Sequence, residues 1–382
     1  MVPPPNEISP AAGSVLARPE ADALVAGLLH IYVAFDWGDE INLEHAQRLV
    51  PAEVHELPRR RRTPSSIGFR PLPLRFALRP VPLELPELGT VQAGAEATVF
   101  DFAAVSVALH VPFRVTMAAL LRLAGHLAAS APLVRAARLA VELLHQKLLA
   151  AIQDPLWKDD LSEEYFVFQL PPGEPLGPEV LLGPCADWLA GLVRLEAGAL
   201  SAREVEEAVS QSLSYSPADL FVPDWAAAVL LDRDCDETLQ TIEFVNLQLL
   251  EYRHIDERLD DRLAAAYRQV YLAGRRRLPF WRSQDRPLRL LGEMKVEANG
   301  LFERTINVLK LVGDTYLARV YRLLANRFHL REWERAIQRK LEVAESAYGV
   351  IADQTANYRM EFLELVVVFL IVLEVLLSIF RH

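Results

Sequence analysis

The sequence predicts an α+β N-terminal domain followed by an all-α C-terminal domain of long, coiled-coil-like helices that ends in one transmembrane helix. The clearest β-type runs, at residues 28–35, 97–111 and 163–170, all lie before residue 200. After residue 200, apolar residues recur at alternating spacings of three and four, which is typical of long helices that pack at small angles. The run at residues 360–380 is the most apolar in the chain.

The chain has 382 residues, which is enough for two domains with a sizeable core. We expect a disordered N-terminus at residues 1–20 and the α+β domain at residues 21–200, with an arginine- and proline-rich arm at 58–86. A helical bundle or stalk is expected at residues 201–358, and a membrane anchor at residues 359–382.

Local signals place the elements of the N-terminal domain. The run at residues 28–35 leads to a short helix, with Asn42 as its N-cap and Pro51 at its end. The stretch at 97–111 predicts strands around a turn at 101–104, and the order of strands and helices favours a small antiparallel or mixed sheet. The remaining predicted elements are helices over residues 116–130 and 133–152 and a strand over 163–170.

The arm at residues 58–86 holds seven arginine residues and no acidic residue between Arg59 and Arg79. Its proline content excludes a helix, so we predict an extended arm or an edge strand. Three interpretations stay open: a solvated arm, attraction to anionic lipids at about 1 kcal/mol per basic residue, and contact with RNA. The basic residues concerned are Arg59, Arg60, Arg61, Arg62, Arg70, Arg75 and Arg79.

Heptad-like spacing dominates the C-terminal half. Ser201 and Glu204 form a capping-box pattern that begins a helix. Apolar seams follow at residues 242–270, 302–323 and 341–379. The third seam runs without a break into the apolar tail, so we predict one helix of about 45 residues that forms a stalk and continues into the anchor.

The tail at residues 360–380 is 21 residues long, which matches the roughly 20 residues of helix that cross a bilayer. Glu361 and Glu364 fit one interface, whereas Glu374 lies within the apolar run. Its cost of about 2.5 to 3.5 kcal/mol is offset by the surrounding apolar residues. The alternative is a core helix of a soluble bundle. Because the N-terminus lacks signal-peptide features, we expect a tail-anchored protein of the inner membrane whose bulk faces the cytoplasm.

Glu374 has two interpretations. It is tolerated near the far interface, or it is protonated and hydrogen-bonds to a partner helix, since buried carboxyl groups in lipid face protein. The second interpretation predicts a homo-oligomer or an unidentified protein partner.

Composition narrows the function classes. The formal net charge of −11 argues against wholesale nucleic-acid binding. Cys185 and Cys235 match no metal or redox spacing and suit a reducing compartment. Five lysine residues against 35 arginine residues suggest a GC-rich genome and hence a bacterium.

No phosphate-binding loop, zinc-protease motif or nucleophile elbow occurs, so nothing in the sequence demands an enzyme or a cofactor. Two polar clusters remain. They are explained either by solvated faces with ion pairs three or four residues apart, or by a buried network or partner site. An enzyme or nucleotide site centred on Glu251 is a further alternative. The first cluster is Gln248, Glu251, Arg253, Asp256, Glu257 and Asp260, and the second includes Lys310 and Asp314.

Several segments resemble the required-for-meiotic-nuclear-division family. Residues 244–260 are similar to its "QLLELRYYD" helix, with His254 and Ile255 where the family has two tyrosines. Residues 100–107 resemble its "FDFGAVSV" strand, with Ala103 in place of glycine, and residues 309–321 and 361–377 resemble later helices. The resemblance implies a membrane-anchored assembly factor rather than an enzyme, and it supplies no catalytic residue.

The sequence therefore predicts a non-enzymatic, membrane-anchored scaffold that acts through helical self-association and protein partners. An RNA- or ribosome-associated module that uses the arm at 58–86 is the other hypothesis.

Overall fold

The computed structural model describes residues 19–50, 54–55, 71–129, 131–158, 161–173, 175–273, 292, 295–296, 298–300 and 315–380.

One nine-stranded sheet organises the chain, in the order β10-β11-β9-β1-β7-β6-β4-β3, with β5 paired to β6. β2 and β8 form a separate antiparallel pair. The sheet is mixed, because β11 runs parallel to β9 while the other pairs are antiparallel. The strands are β1 (Leu24–Asp36), β2 (Glu40–Ile41), β3 (Val54–His55), β4 (Leu74–Ala77), β5 (Val81–Leu85), β6 (Gly89–Val99), β7 (Ala104–Thr116), β8 (Ile152–Gln153), β9 (Ser162–Leu170), β10 (Leu220–Pro223) and β11 (Ala227–Leu231).

Among the described residues, six helices pack on one face of the sheet, and three that follow them in the chain pack on the opposite face. A 3-10 turn at Leu149–Ala151 follows α3. The helices are α1 (Leu43–Leu49), α2 (Met117–Leu127), α3 (Ala131–Leu148), α4 (Pro178–Leu182), α5 (Ala186–Arg194), α6 (Ala202–Ser210), α7 (Asp236–Ala273), α8 (Thr315–Arg327) and α9 (Leu330–Phe380).

Strand β1 is central and is buried on both faces. Successive side chains of a strand point to opposite faces. Ile31 and Val33 therefore pack with α1 to α6 in one core, while Tyr32 and Ala34 pack with α7, α8 and α9 in the other. The body thus has three layers, with the sheet in the middle.

The predicted N-caps of two helices and one predicted turn are confirmed. The Asn42 side chain accepts a hydrogen bond from His45 N at 2.9 Å, and Ser201 Oγ accepts one from Glu204 N at 3.3 Å. Each oxygen satisfies a first-turn amide that has no partner within the helix. The predicted turn between β6 and β7 is also present, with Ala103 in the left-handed region at φ 58°.

The sheet is larger than the small one predicted, and it continues past residue 200. Strands β10 and β11 follow α6, and β11 joins the sheet beside β9. Each is a short apolar run of which every residue is buried. Such a run lacks the alternation of polar and apolar residues that identifies a half-buried strand.

The C-terminal region is helical, as predicted, and α9 is one unbroken helix of 51 residues. Among the residues that could be tested, no single helix is long and apolar enough to cross a membrane. The bent pair Met117–Leu127 and Ala131–Ala151, which meet at 75°, satisfies the length and composition test together. The terminal transmembrane helix is therefore not confirmed.

Candidate functional site

The predicted polar face of α7 lies against other parts of the chain. Gln248 is 1% exposed, and its Oε1 accepts a hydrogen bond from the Tyr321 hydroxyl of α8 at 2.9 Å. Glu251 is half-buried on the same helix. A solvated face does not describe Gln248, because its side chain lies in the contact between α7 and α8.

Ion pairs on this face join α7 to the sheet and to α9. Arg253 pairs with Glu163 of β9, on another element. Lys340 of α9 contacts Asp256 and Asp260, at 2.7 Å in each case. Part of the face therefore contacts other elements of the chain, whereas the Glu257 and Asp260 side chains are more than half exposed.

A further buried pair fixes α7 to the end of β1. The Asp36 carboxylate pairs with His254, and both side chains are buried. The second oxygen of Asp36 accepts a hydrogen bond from Gly38 N at 3.0 Å. The pair of Asp36 and His254 therefore holds the middle of α7 against the end of β1, the central strand.

Several candidate residues lie outside the described residues. They are Arg59, Arg60, Arg61, Arg62, Lys310 and Asp314. The hypothesis of RNA or anionic lipid at the arm therefore stays a prediction from the sequence. Arg75, nearer the end of the arm, is described, and it points into the protein to pair with Glu96 and Glu243.

A row of polar side chains crosses the α7-facing side of the sheet, and the sequence analysis did not predict it. Nδ1 of His30 on β1 lies 2.9 Å from Nδ1 of His110 on β7. The other ring nitrogen of His30 lies 2.9 Å from Gln169 Oε1, and that of His110 lies 3.3 Å from Glu96 Oε1. The row therefore joins β9, β1, β7 and β6.

Charged side chains of both signs lie at the β6 end of the row. Arg75 Nη1 lies 3.3 Å from Glu96 Oε1, and Arg75 Nη2 lies 3.5 Å from Glu243 Oε2 on α7. Burial raises the pKa of Glu243, while Arg75 and the hydroxyl groups of Ser106 and Thr98 act in the opposite direction. Burial also raises the pKa of Glu96, but His110 and Arg75 outweigh it and leave that pKa below its usual value.

A second network joins the α6 region to α8. Arg194 contacts Glu204, Glu207 and Asp224, and the distance from its Nε to Asp224 Oδ2 is 3.1 Å. Arg327 of α8 donates to Glu207 Oε1 at 2.9 Å, and its Nη1 lies 3.8 Å from Asp224 Oδ1. These contacts fix the C-terminal end of α8 on the body.

Neither cysteine has the environment of a reactive thiol. Cys185 is fully buried, and burial raises the pKa of Cys235 to about 12. A thiol with a raised pKa is a poor nucleophile and a poor metal ligand at neutral pH. Across the part of the chain that the structure describes, no group of three or more His, Cys, Asp or Glu residues could hold a metal ion.

The last part of α9 presents apolar side chains to solvent. Each of the seven residues 367–373 is between 40% and 65% exposed. Successive residues of a helix are about 100° apart, so seven of them cover every side. Glu364 and Glu374, which flank this stretch, are also exposed. This stretch, residues 367–373, is named the apolar end of α9 below.

Comparison with known proteins identifies the N-terminal region. Residues 26–237 match the family model described as "Uncharacterized protein MJ0711, N-terminal domain". The chain belongs to this family. The matched residues include the central strands, helices α1 to α6 and the first residues of α7.

One similar protein is archaeal. The "Uncharacterized protein MJ0711" of Methanocaldococcus jannaschii is 26% identical over 176 residues, which are 46% of this chain. The alignment spans 53% of that relative, or about half its length. No solved structure matches the chain. Because this relative is archaeal, the bacterial source inferred from composition is not supported.

The resemblance to the required-for-meiotic-nuclear-division family is wrong. The matching family model is a different one, and nothing in the comparisons indicates the meiotic family. The resemblance rested on short motifs of buried strand and helix. Residues 100–107 form the turn and the buried start of β7, and residues 244–260 form a helix that covers the sheet. Apolar patterns of this kind are imposed by burial in many folds.

Proposed function

We propose that the chain is a non-enzymatic, membrane-attached scaffold in which the apolar end of α9 enters a lipid bilayer. The observation that carries this proposal is the exposure of all seven residues 367–373 on every side of one helix. An apolar patch that is exposed on one side suits a protein partner, whereas a helix that is apolar all round suits lipid.

Length supports the same proposal. Residues 360–380 of α9 are 21 residues of continuous helix, which span about 31 Å at 1.5 Å per residue. The hydrocarbon core of a bilayer is about 30 Å thick. The location at the inner membrane, with the body of the chain in the cytoplasm, stays a prediction from the sequence.

The scaffold role rests on how the body uses its polar groups. Gln248, Arg253 and Asp256 make contacts within the chain, between α7 and the elements around it. Such contacts stabilise the arrangement of α7 on the sheet. We therefore favour a binding or assembly role over the enzyme or nucleotide site centred on Glu251.

Membrane attachment is tested with a pair of arginine substitutions in α9. Ile371 is 55% exposed within the apolar end, and Val343 is 45% exposed nearer the body. Arginine at the centre of a membrane helix costs about 2.5 to 3.5 kcal/mol. We expect Ile371→Arg to move the full-length protein from the membrane to the soluble fraction on alkaline carbonate extraction.

Val343→Arg is the matched control, because it adds the same charge to the same helix outside the apolar end. It should stay in the membrane fraction like the unsubstituted chain. Complete extraction of the unsubstituted chain by carbonate would contradict the anchor. Sedimentation of the extracted protein would then show whether the apolar end joins copies of the chain in solution instead.

A further inference from the structure

The hydrogen bonds around His30 fix which of its nitrogens carries a proton. Gln169 Nε2 donates to the carbonyl oxygen of Asp232 at 3.0 Å, so its Oε1 faces His30. An amide oxygen is an acceptor only, and His30 Nε2 therefore donates to it. A neutral imidazole has one N–H group, which leaves His30 Nδ1 as an acceptor.

With His30 neutral, the Nδ1 atom of His110 donates to the acceptor on His30, and its other ring nitrogen faces the Glu96 carboxylate. The contact between the two rings is complete when one proton lies between the two Nδ1 atoms. Burial lowers the pKa of His30 to about 4, which agrees with a neutral ring at physiological pH.

The groups around His30 act on its pKa in both directions. His30 lies on β1 beside Tyr32, and it faces His110 on β7 and the neutral Gln169 on β9. Burial has the largest effect and lowers the pKa of His30, the Gln169 hydrogen bond and the Glu96 carboxylate raise it, and His110 lowers it. The remaining titratable groups around this row are Glu96 on β6, Arg75 on β4, and Glu243 and the thiol of Cys235 at the start of α7.

We propose that His30 and His110 form an acid-sensitive contact that holds β1 to β7 through one shared proton. A proton added to His30 Nδ1 would place two N–H donors face to face at 2.9 Å. The hydrogen bond between the strands would be lost at a site where His30 is 4% exposed. Because β1 is the central strand, this contact makes the whole sheet sensitive to acid.

The first test needs no variant. The full chain is labelled with nitrogen-15 at histidine and its ring nitrogens are observed by NMR in non-ionic detergent at pH 7. We expect one ring with a proton on Nε2 and none on Nδ1, and a partner ring with a proton on Nδ1, the two rings being coupled through their Nδ1 atoms. Two rings that both lack a proton on Nδ1, or that both carry one there, would overturn the proposal.

The second test follows unfolding between pH 6.5 and 4.5. In the unfolded chain His30 takes up a proton near pH 6.5, whereas in the fold it does not until about pH 4. Stability is therefore fully present above pH 6.5 and falls as the pH decreases through this window. His30→Gln removes this uptake of a proton on unfolding. As the pH falls, we therefore expect the unfolding equilibrium constant of the variant to rise about tenfold less per pH unit than that of the unsubstituted chain.

His126→Gln, which replaces an exposed histidine of α2, serves as the matched control and should keep the slope of the unsubstituted chain. Equal slopes for His30→Gln and the unsubstituted chain would overturn the proposal. Zinc provides a last check, because a metal ion could take the place of the shared proton between the two Nδ1 atoms. Stoichiometric zinc binding that is lost in His30→Gln would replace the shared proton with a metal site.

Discussion

Lys340 shows how single side chains hold α9 against α7. Its ammonium group lies 2.7 Å from carboxylate oxygens of Asp256 and Asp260, which are four residues apart on α7. Partial burial lowers the pKa of Lys340, but the two carboxylates outweigh burial and leave that pKa above its usual value. The lysine therefore stays charged, and it neutralises two acids that would otherwise repel one another.

We expect Lys340→Met to lower the free energy of unfolding by about 1 to 2 kcal/mol, since charged hydrogen bonds are lost but the site is partly open to water. The control is Lys295→Met, because Lys295 pairs with Glu345 at 2.9 Å where both side chains are mostly exposed. The control should change stability by less than about 1 kcal/mol. Urea unfolding measures the free energy of unfolding of both variants. Equal losses would show that the contact of Lys340 with two carboxylates stabilises the fold no more than the single exposed pair.

The contacts of a residue could be predicted from the sequence where its partners lie nearby in the chain. Asn42 and Ser201 cap helices whose first turns follow directly, and both were predicted. His30 and His110 are 80 residues apart, and only the register of β1 with β7 brings them together. Arg253 had acidic neighbours on its own helix, but it pairs with Glu163 because the sheet lies against α7.

At the scale of elements, Gly27 of β1 lies very close to neighbouring atoms. A Cβ atom placed on Gly27 would lie 2.2 Å from the carbonyl oxygen of Gln169 on β9 and 2.7 Å from Cζ of Phe113. A backbone carbonyl cannot move away without disturbing the pairing of β1 with β9. Glycine at this position lets the two strands approach.

We expect Gly27→Ala to destabilise the fold by about 1 to 3 kcal/mol or more, because the added methyl group overpacks the sheet. Gly94→Ala is a matched control on β6 of the same sheet, where the nearest atom would lie at an ordinary 3.8 Å. Thermal unfolding of both variants provides the comparison. If Gly94→Ala loses as much stability as Gly27→Ala, the loss would come from replacing a glycine of the sheet and not from the close approach at Gly27.

Elements could be predicted where one pattern dominated. β1, β7 and β9 combine length with β-branched and aromatic residues, and α9 sustains its apolar spacing over many turns. β10 and β11 are too short and too uniformly apolar to be distinguished from a buried helix segment. Their place in the sheet depends on the parallel pairing of β11 with β9, which nothing local in the sequence encodes.

At the scale of the whole molecule, Glu374 separates anchoring from self-association. It is exposed next to the apolar end of α9. We expect Glu374→Leu to leave membrane insertion intact and to weaken self-association in detergent by about three- to thirtyfold, since one hydrogen bond between membrane helices is worth about 0.6 to 2 kcal/mol. Analytical ultracentrifugation measures the association.

Glu364→Leu, at the other exposed carboxylate beside the apolar end, is the matched control and should associate like the unsubstituted chain. If Glu374→Leu also associates normally, Glu374 makes no contact between copies and the anchor alone remains. If Glu374→Leu no longer fractionates with membranes, the carboxyl group acts in insertion rather than in association.

The continuity of α9 has a mechanical consequence. Its 51 residues extend over about 75 Å as one helix, and Lys340 and Ala344 fix its first part on the body. Each residue between Ala344 and residue 367 adds about 1.5 Å and turns the rest of the helix by about 100°. The number of residues in this segment therefore sets both the standoff distance of the apolar end from the sheet and its rotational phase. A one-residue insertion would redirect Glu374 by more than a quarter of a turn without changing any contact of the body.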